Sequence, residues 1–145
     1  MKALNIIESN LNNLDIITSF IDELVVEKDI NIFLLDGEVG MGKTSLVDKY
    51  SKNKGLDNIN SPSFTFIHEY SSEADSIKIY HYDLYLKNDL ESKAKLLESL
   101  SQDGIHFIEW GTESIFQNLK LLDFKVALIK IHSKTDSSRI YEFFV

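Results

Sequence analysis

Asp36-Gly37-Glu38-Val39-Gly40-Met41-Gly42-Lys43-Thr44-Ser45 decides the fold, because Gly37 to Thr44 fits the P-loop pattern GxxxxGK(S/T) at every position. In that pattern, successive backbone amides and the N-terminus of the following helix converge on a polyphosphate. Glycines at 37, 40 and 42 keep the amides uncovered. Lys43 is expected to set its ammonium against the β- and γ-phosphates, and the Thr44 hydroxyl to take one position on a magnesium ion. The nucleotide-binding set is therefore Gly37, Glu38, Val39, Gly40, Met41, Gly42, Lys43, Thr44 and Ser45. The flanks agree with this. Asn31 to Leu35 is a short apolar run suited to a buried parallel strand, and Ser45 to Tyr50 continues as an amphipathic helix.

Working outward, 145 residues read as a single domain, 1–145, able to bury about two-thirds of its unfolded surface. No apolar stretch approaches the ~20 residues that span a bilayer. The segment Met1 to Glu8 lacks the apolar core of a signal peptide, and there are no cysteines for disulfides or thiolate metal sites. A cytoplasmic address is expected. The net charge of -8 opposes direct gripping of a nucleic-acid backbone, which needs a basic face. Arg139 is the single arginine. Kinases for small acceptors usually clamp the transferring phosphoryl group with several arginines, so a small-molecule kinase is disfavoured.

Ala3 to Ile7 reads as a first strand. Ser9 or Asn10 is placed to cap a helix from about Leu11 to Val26 that turns Leu14, Ile17, Ile21 and Leu24 inward. Asn53 to Ser63, with the only proline, reads as a long polar loop of the kind that serves as a switch near a phosphate site. Phe64 to Tyr70 and Ile77 to Tyr82 form a hairpin, and Asp83 closes its second strand. Lys87 to Ser101 is helical, with Leu90, Leu97 and Leu100 expected inward. Ile105 to Trp110 is an apolar strand ending in an acid, and Phe124 to His132 and Ile140 to Val145 form a last hairpin.

A P-loop enzyme needs a second magnesium anchor, generally a carboxylate at the end of a neighbouring buried strand. Glu109 is the best-placed acid and Asp83 the next. Ser61, Ser63 and Thr65 offer hydroxyls that could sense a terminal phosphate. His68, His106 and His132 read as packing or surface residues. His81 shares a strand face with Asp83 and is the least bland of the four.

With Ser61-Pro62-Ser63-Phe64-Thr65, His81-Tyr82-Asp83-Leu84-Tyr85 and Ile108-Glu109-Trp110 following the P-loop in order, nearly the whole chain resembles the TsaE (YjeE) family. The resemblance implies a small ATPase needed for threonylcarbamoyladenosine in bacterial tRNA, working with TsaB and TsaD and meeting tRNA only through them. It further implies that Gly37 to Thr44 holds ATP, that Thr44 and Glu109 serve Mg2+, and that Lys43, Asp83 and Glu109 are catalytic. Trp110 and Arg139 would lie near the nucleotide, and Ser61 to Thr65 would be the switch-like segment. Two departures stand out: Leu86 occupies the place of the family's usual arginine, and the approach to Gly104 lacks the usual acidic and glycine pattern.

The expected fold is a three-layer α/β P-loop NTPase fold, its mixed sheet having a parallel core and antiparallel hairpin additions. With one arginine available in cis, hydrolysis by the isolated chain should be slow. A GTP switch is opposed by the absence of any DxxG segment and by Asn53-Lys54-Gly55-Leu56-Asp57, one residue too long for a guanine-reading element. A nucleotide-bound scaffold without hydrolysis is the alternative from another class.

Overall fold

The structure is a computed structural model describing residues 1–56, 59–64, 66–72, 75–84 and 89–145, with the backbone alone for 59–64, 72, 75 and 76. The elements run β1 (Asn5–Ser9), α1 (Asp15–Lys28), β2 (Ile32–Asp36), α2 (Lys43–Asn53), β3 (Ile59–Phe64), β4 (Ile67–Ser72), β5 (Asp75–Asp83), α3 (Leu90–Leu100), β6 (Ile105–Glu109), α4 (Glu113–Leu121), β7 (Val126–Ser133) and β8 (Arg139–Phe144). The strands form one sheet in the order β1-β8-β7-β2-β6-β5-β4-β3.

The sheet is built around β2, which lies between β6 and β7 and runs parallel to both. Ile32, Phe33, Leu34 and Leu35 are wholly buried, as expected of a strand covered on both faces. Side chains alternate. Phe33 and Leu35 join Phe107 and Ile129 under α1 and α2, which contribute Ile17, Ile21, Leu46 and Tyr50. Ile32 and Leu34 join Ile108 and Leu128 under α3 and α4, which contribute Leu96, Leu100, Phe116 and Leu119. Each such side chain stabilises the fold by about 1.5–3 kcal/mol relative to exposure. β5 adds in parallel beyond β6, while β8, β1, β4 and β3 extend the edges antiparallel. The expected three layers, parallel core and antiparallel hairpins are all present.

Several local expectations are corrected. Helix α1 begins at Asp15 with Leu14 at its N-cap and no side-chain cap. Ser9 instead ends β1 and donates to the Asn13 carbonyl at 2.5 Å, while Asn10 accepts from the Asn12 amide inside the connecting turn. The polar loop expected through Ser63 is in part an edge strand, β3, paired with β4 through backbone groups. Pro62 is tolerated there because an edge strand leaves amides unpaired. In α3 the buried positions are Ser92, Leu96 and Leu100, whereas Leu90 and Leu97 are exposed. Asp89 sets that register by accepting from the Ser92 amide at 2.8 Å. Helix α4, capped by Thr112 on the Ile115 amide, was not expected from sequence. Among the described residues no helix is long and apolar enough to cross a membrane.

Candidate functional site

Because β2 and β6 are parallel with Leu35 beside Glu109, the strand-end acid reaches the same carboxyl end of the parallel strands as the loop that leaves β2. Gly42 caps α2 at φ 90, a left-handed conformation that favours glycine, and a Cβ there would come within 2.7 Å of Cδ2 of the exposed Leu11, which would have to move aside. Among the described residues no side chain caps α2, and its first residues, Lys43 to Ser45, line the groove, an arrangement that suits an anion.

The groove is about 370 Å3 and is lined by Leu11, Val39 to Ser45, Glu109 and Trp110. Lys43 is buried. Its Nζ donates to the carbonyls of Gly37 and Glu38, the latter at 3.2 Å, and lies 3.8 Å from the centroid of the Trp110 ring. Trp110 holds φ 64, a left-handed conformation costing a non-glycine residue about 1–3 kcal/mol. Strain of that kind clusters at functional sites.

Glu109, 6% exposed, closes the site from β6. Its Oε2 accepts from Thr44 Oγ1 at 2.8 Å and from His81 Nε2. Burial alone would push this carboxyl up, but the His81 hydrogen bond and charge, the Thr44 hydroxyl and the Lys43 ammonium together hold it below its usual range. Glu109 is therefore an acceptor-only carboxylate, and the Thr44 hydroxyl, having given its hydrogen away, keeps its lone pairs for a cation. That donor set, a hydroxyl beside a carboxylate, fits magnesium, which prefers hard oxygen ligands. Tyr70 closes the flank, its hydroxyl donating to Asp48 of α2 at 3.2 Å; burial first, then Asp48 and Glu109, push its phenol up to about 12.

Of the residues singled out from sequence, the structure gathers Val39 to Ser45, Glu109 and Trp110 in one groove, with Gly37 and Glu38 behind it holding Lys43. Asp83 stands in register beside Glu109 on β5 and is exposed. Arg139 starts β8 next to Ser133, at the same end of the parallel strands but outside the groove lining. Its Nη1 donates to the carbonyls of Thr135 and Ser138 within its own hairpin. The side chains of Ser61 and Ser63, and Thr65, Tyr85 and Leu86 entirely, lie outside the described residues. Leu11, expected as the first residue of α1, lies instead in the turn before that helix and lines the groove, a placement its neighbours in sequence do not signal. The face that His81 shares with Asp83 is legible in the sequence, but its bond to Glu109 is not. His132 pairs with Glu142 at 2.6 Å on the surface, and His106 is buried, both as expected.

A larger hollow of about 800 Å3 lies on the other face between α3 and α4, lined by Leu84, Leu96, Leu97, Ile115 and Leu119 and reaching Trp110 from below. It is the more apolar of the two and, among the described residues, is lined by no carboxylate, so the charged groups gather at the smaller groove.

A buried strand feeding a glycine-rich loop and an uncapped helix, with a carboxylate on the adjacent parallel strand, is a P-loop NTPase-like arrangement. Residues 9–141 match the family described as "Threonylcarbamoyl adenosine biosynthesis protein TsaE", and the chain belongs to that family. Its relatives include the "tRNA threonylcarbamoyladenosine biosynthesis protein TsaE" of Bacillus subtilis, 32% identical over 82 residues that cover 56% of this chain and 51% of that one. The protein of the same name from Synechocystis is 39% identical over 85 residues, 54% of this chain and 53% of that one. That from Rickettsia felis is 31% identical over 127 residues, 80% and 73%. The chain spans about half the length of the Bacillus and Synechocystis relatives in these matches.

Proposed function

We propose that the chain binds ATP with Mg2+ in the groove above α2 and hydrolyses it slowly, in the service of threonylcarbamoyladenosine modification of tRNA, together with TsaB and TsaD. The observation that carries this reading is the 2.8 Å hydrogen bond from Thr44 to Glu109, which joins the P-loop hydroxyl to the strand-end acid across 65 residues of sequence. A glycine-rich turn that bound nothing would not need a buried carboxylate there.

In this reading Lys43 leaves the carbonyls of Gly37 and Glu38 for the β- and γ-phosphates, and the amides of Gly40 to Ser45 receive the remaining phosphate oxygens. Thr44 and Glu109 hold the metal, directly or through its waters; when bound, magnesium supplies neutralisation of the phosphate charge. Trp110, released by Lys43, offers its ring to the nucleotide. Asp83, beside Glu109, is the carboxylate available to orient the attacking water. Positioning and electrostatics carry the reaction, with little covalent work for the protein.

Arg139 is bound to its own hairpin carbonyls, and this favours slow turnover until a partner intervenes. The test is phosphate release from Mg-ATP by the purified protein, alone and with TsaB, TsaD and tRNA, beside a Lys43→Ala control. Slow release that the assembly accelerates and Lys43→Ala abolishes is expected. Equal release by the control would overturn the assignment, and nucleotide binding with no release in either condition would leave the scaffold reading.

A further inference from the structure

His81 is buried on β5 at 6% exposure, next to the site but outside the groove lining. β5 and β6 are parallel, with His81 beside Phe107 and Asp83 beside Glu109. His81 therefore lies diagonally behind Glu109 on one face of the sheet, close enough for its Nε2 to meet Oε2 of the carboxylate. That same oxygen accepts from Thr44. A carboxylate only accepts, so Nε2 of His81 carries the proton and donates. The ring is confined in turn, with the His68 and Tyr70 rings of β4 at 6.2 Å and 6.4 Å between centroids. Tyr70 is itself tied to Asp48 on the P-loop helix. A packed, hydrogen-bonded imidazole thus stands behind the acid, and the hydroxyl of α2 stands in front of it.

We propose that His81 is a positioning residue, holding Glu109 in the orientation in which it and Thr44 together receive magnesium. The proposal rests on the magnesium-nucleotide reading of the groove. A metal that demands near-ideal octahedral geometry is sensitive to small displacements of an anchoring carboxylate, and partners behind such ligands typically contribute 10–100-fold to metal affinity. With the donor gone, Thr44 is the remaining hydrogen-bond partner of the carboxylate among the described residues, and Thr44 must share its oxygen with the metal.

The experiment is calorimetric titration of ADP into the wild-type protein, His81→Leu, His81→Asn and His81→Gln, each with magnesium and with EDTA. Leucine removes the donor, asparagine keeps an amide too short to reach Oε2, and glutamine carries one at about the reach of Nε2. The wild-type protein should bind ADP more tightly with magnesium than with EDTA. His81→Leu and His81→Asn should lose about tenfold of that magnesium-supported gain while keeping the EDTA affinity. His81→Gln should recover most of it. Should leucine prevent folding, the asparagine and glutamine pair decides alone. An undiminished magnesium gain in the asparagine variant, an equal fall in EDTA, or a glutamine variant no better than asparagine would overturn the positioning role and leave a packing role. A wild-type protein indifferent to magnesium would instead overturn the magnesium-nucleotide reading, and this proposal with it.

Discussion

Strands β5 and β6 bring together two buried histidine clusters, one at each end and on opposite faces of the sheet. At the carboxyl end, His81 meets a carboxylate, a threonine hydroxyl and, beyond them, a buried ammonium bordering an open groove. At the amino end, His106 is wholly buried, its Nε2 donating to the Gln102 carbonyl at 2.9 Å. Its Nδ1 must then accept from the Tyr82 hydroxyl at 2.7 Å, which in turn accepts from Ser99 at 2.6 Å. The Tyr80 ring stacks on the imidazole at 4.7 Å. His106, the Tyr82 and Ser99 hydroxyls and the Gln102 carbonyl are all neutral, and each donor among these four ends on an acceptor within the set. A polar cluster closed upon itself specifies packing, whereas one that gathers opposite charges at a groove is arranged to receive something.

The sharpest test of that contrast is to damage each end and ask what fails. Glu109→Gln keeps an acceptor for Thr44 but removes the charge expected to help anchor the metal. Phosphate release should fall at least about a hundredfold, since several kcal/mol of charge stabilisation goes with it. Unfolding free energy in urea should change by no more than about 2 kcal/mol. His106→Leu should do the reverse. It removes two hydrogen bonds, one from the Tyr82 hydroxyl, which keeps Ser99, and one from the carbonyl of the exposed Gln102, at a cost of about 1–3 kcal/mol, and leaves ADP affinity as it was. If the His106 variant lost nucleotide binding at unchanged stability, the two ends would not be separate devices.

What could be read from the residues follows the same division between local and distant causes. The strand, P-loop and helix from Ile32 to Asn53 were legible because glycine spacing and apolar runs are local signals. Thr44 and Glu109 could be expected to meet without any view of their contact, because the chemistry a P-loop suggests needs a hydroxyl and a strand-end acid, and a hydrogen bond joins them. The bond between His81 and Glu109 could not, since it depends on the parallel register of β5 and β6, which no single strand encodes. The leucines of α3 fall on several faces, so their spacing did not say which face the sheet would cover; the Asp89 cap and Leu96 did. β3 reads as a loop because Asn60-Ser61-Pro62-Ser63 shows no alternating apolar pattern, while its place in the sheet comes from backbone pairing with β4. Helix α4 has only nine residues, and Thr112 followed by Phe116 and Leu119 was its faint signature.

The mildest perturbation is pH, and it probes the amino end through His106. Burial lowers His106 from its ordinary 6.5 to about 4, and the hydrogen bond to Gln102 offsets only part of that. Between those values the unfolded chain holds a proton that the folded chain excludes. Stability from this group is thus complete above about pH 6.5, falls as the pH drops toward 4, and changes no further below. One proton gives a slope of at most about 1.4 kcal/mol per pH unit. Glu109, held below the carboxylate range, keeps its contribution throughout the upper part of this window and loses it only at lower pH. Urea midpoints at about pH 7 and about pH 5 should therefore fall further for the wild-type protein than for His106→Leu, by an amount worth roughly 1–2 kcal/mol. Equal falls would mean that His106 is not the group that titrates, and that the amino end of β6 is less closed than its hydrogen bonds require.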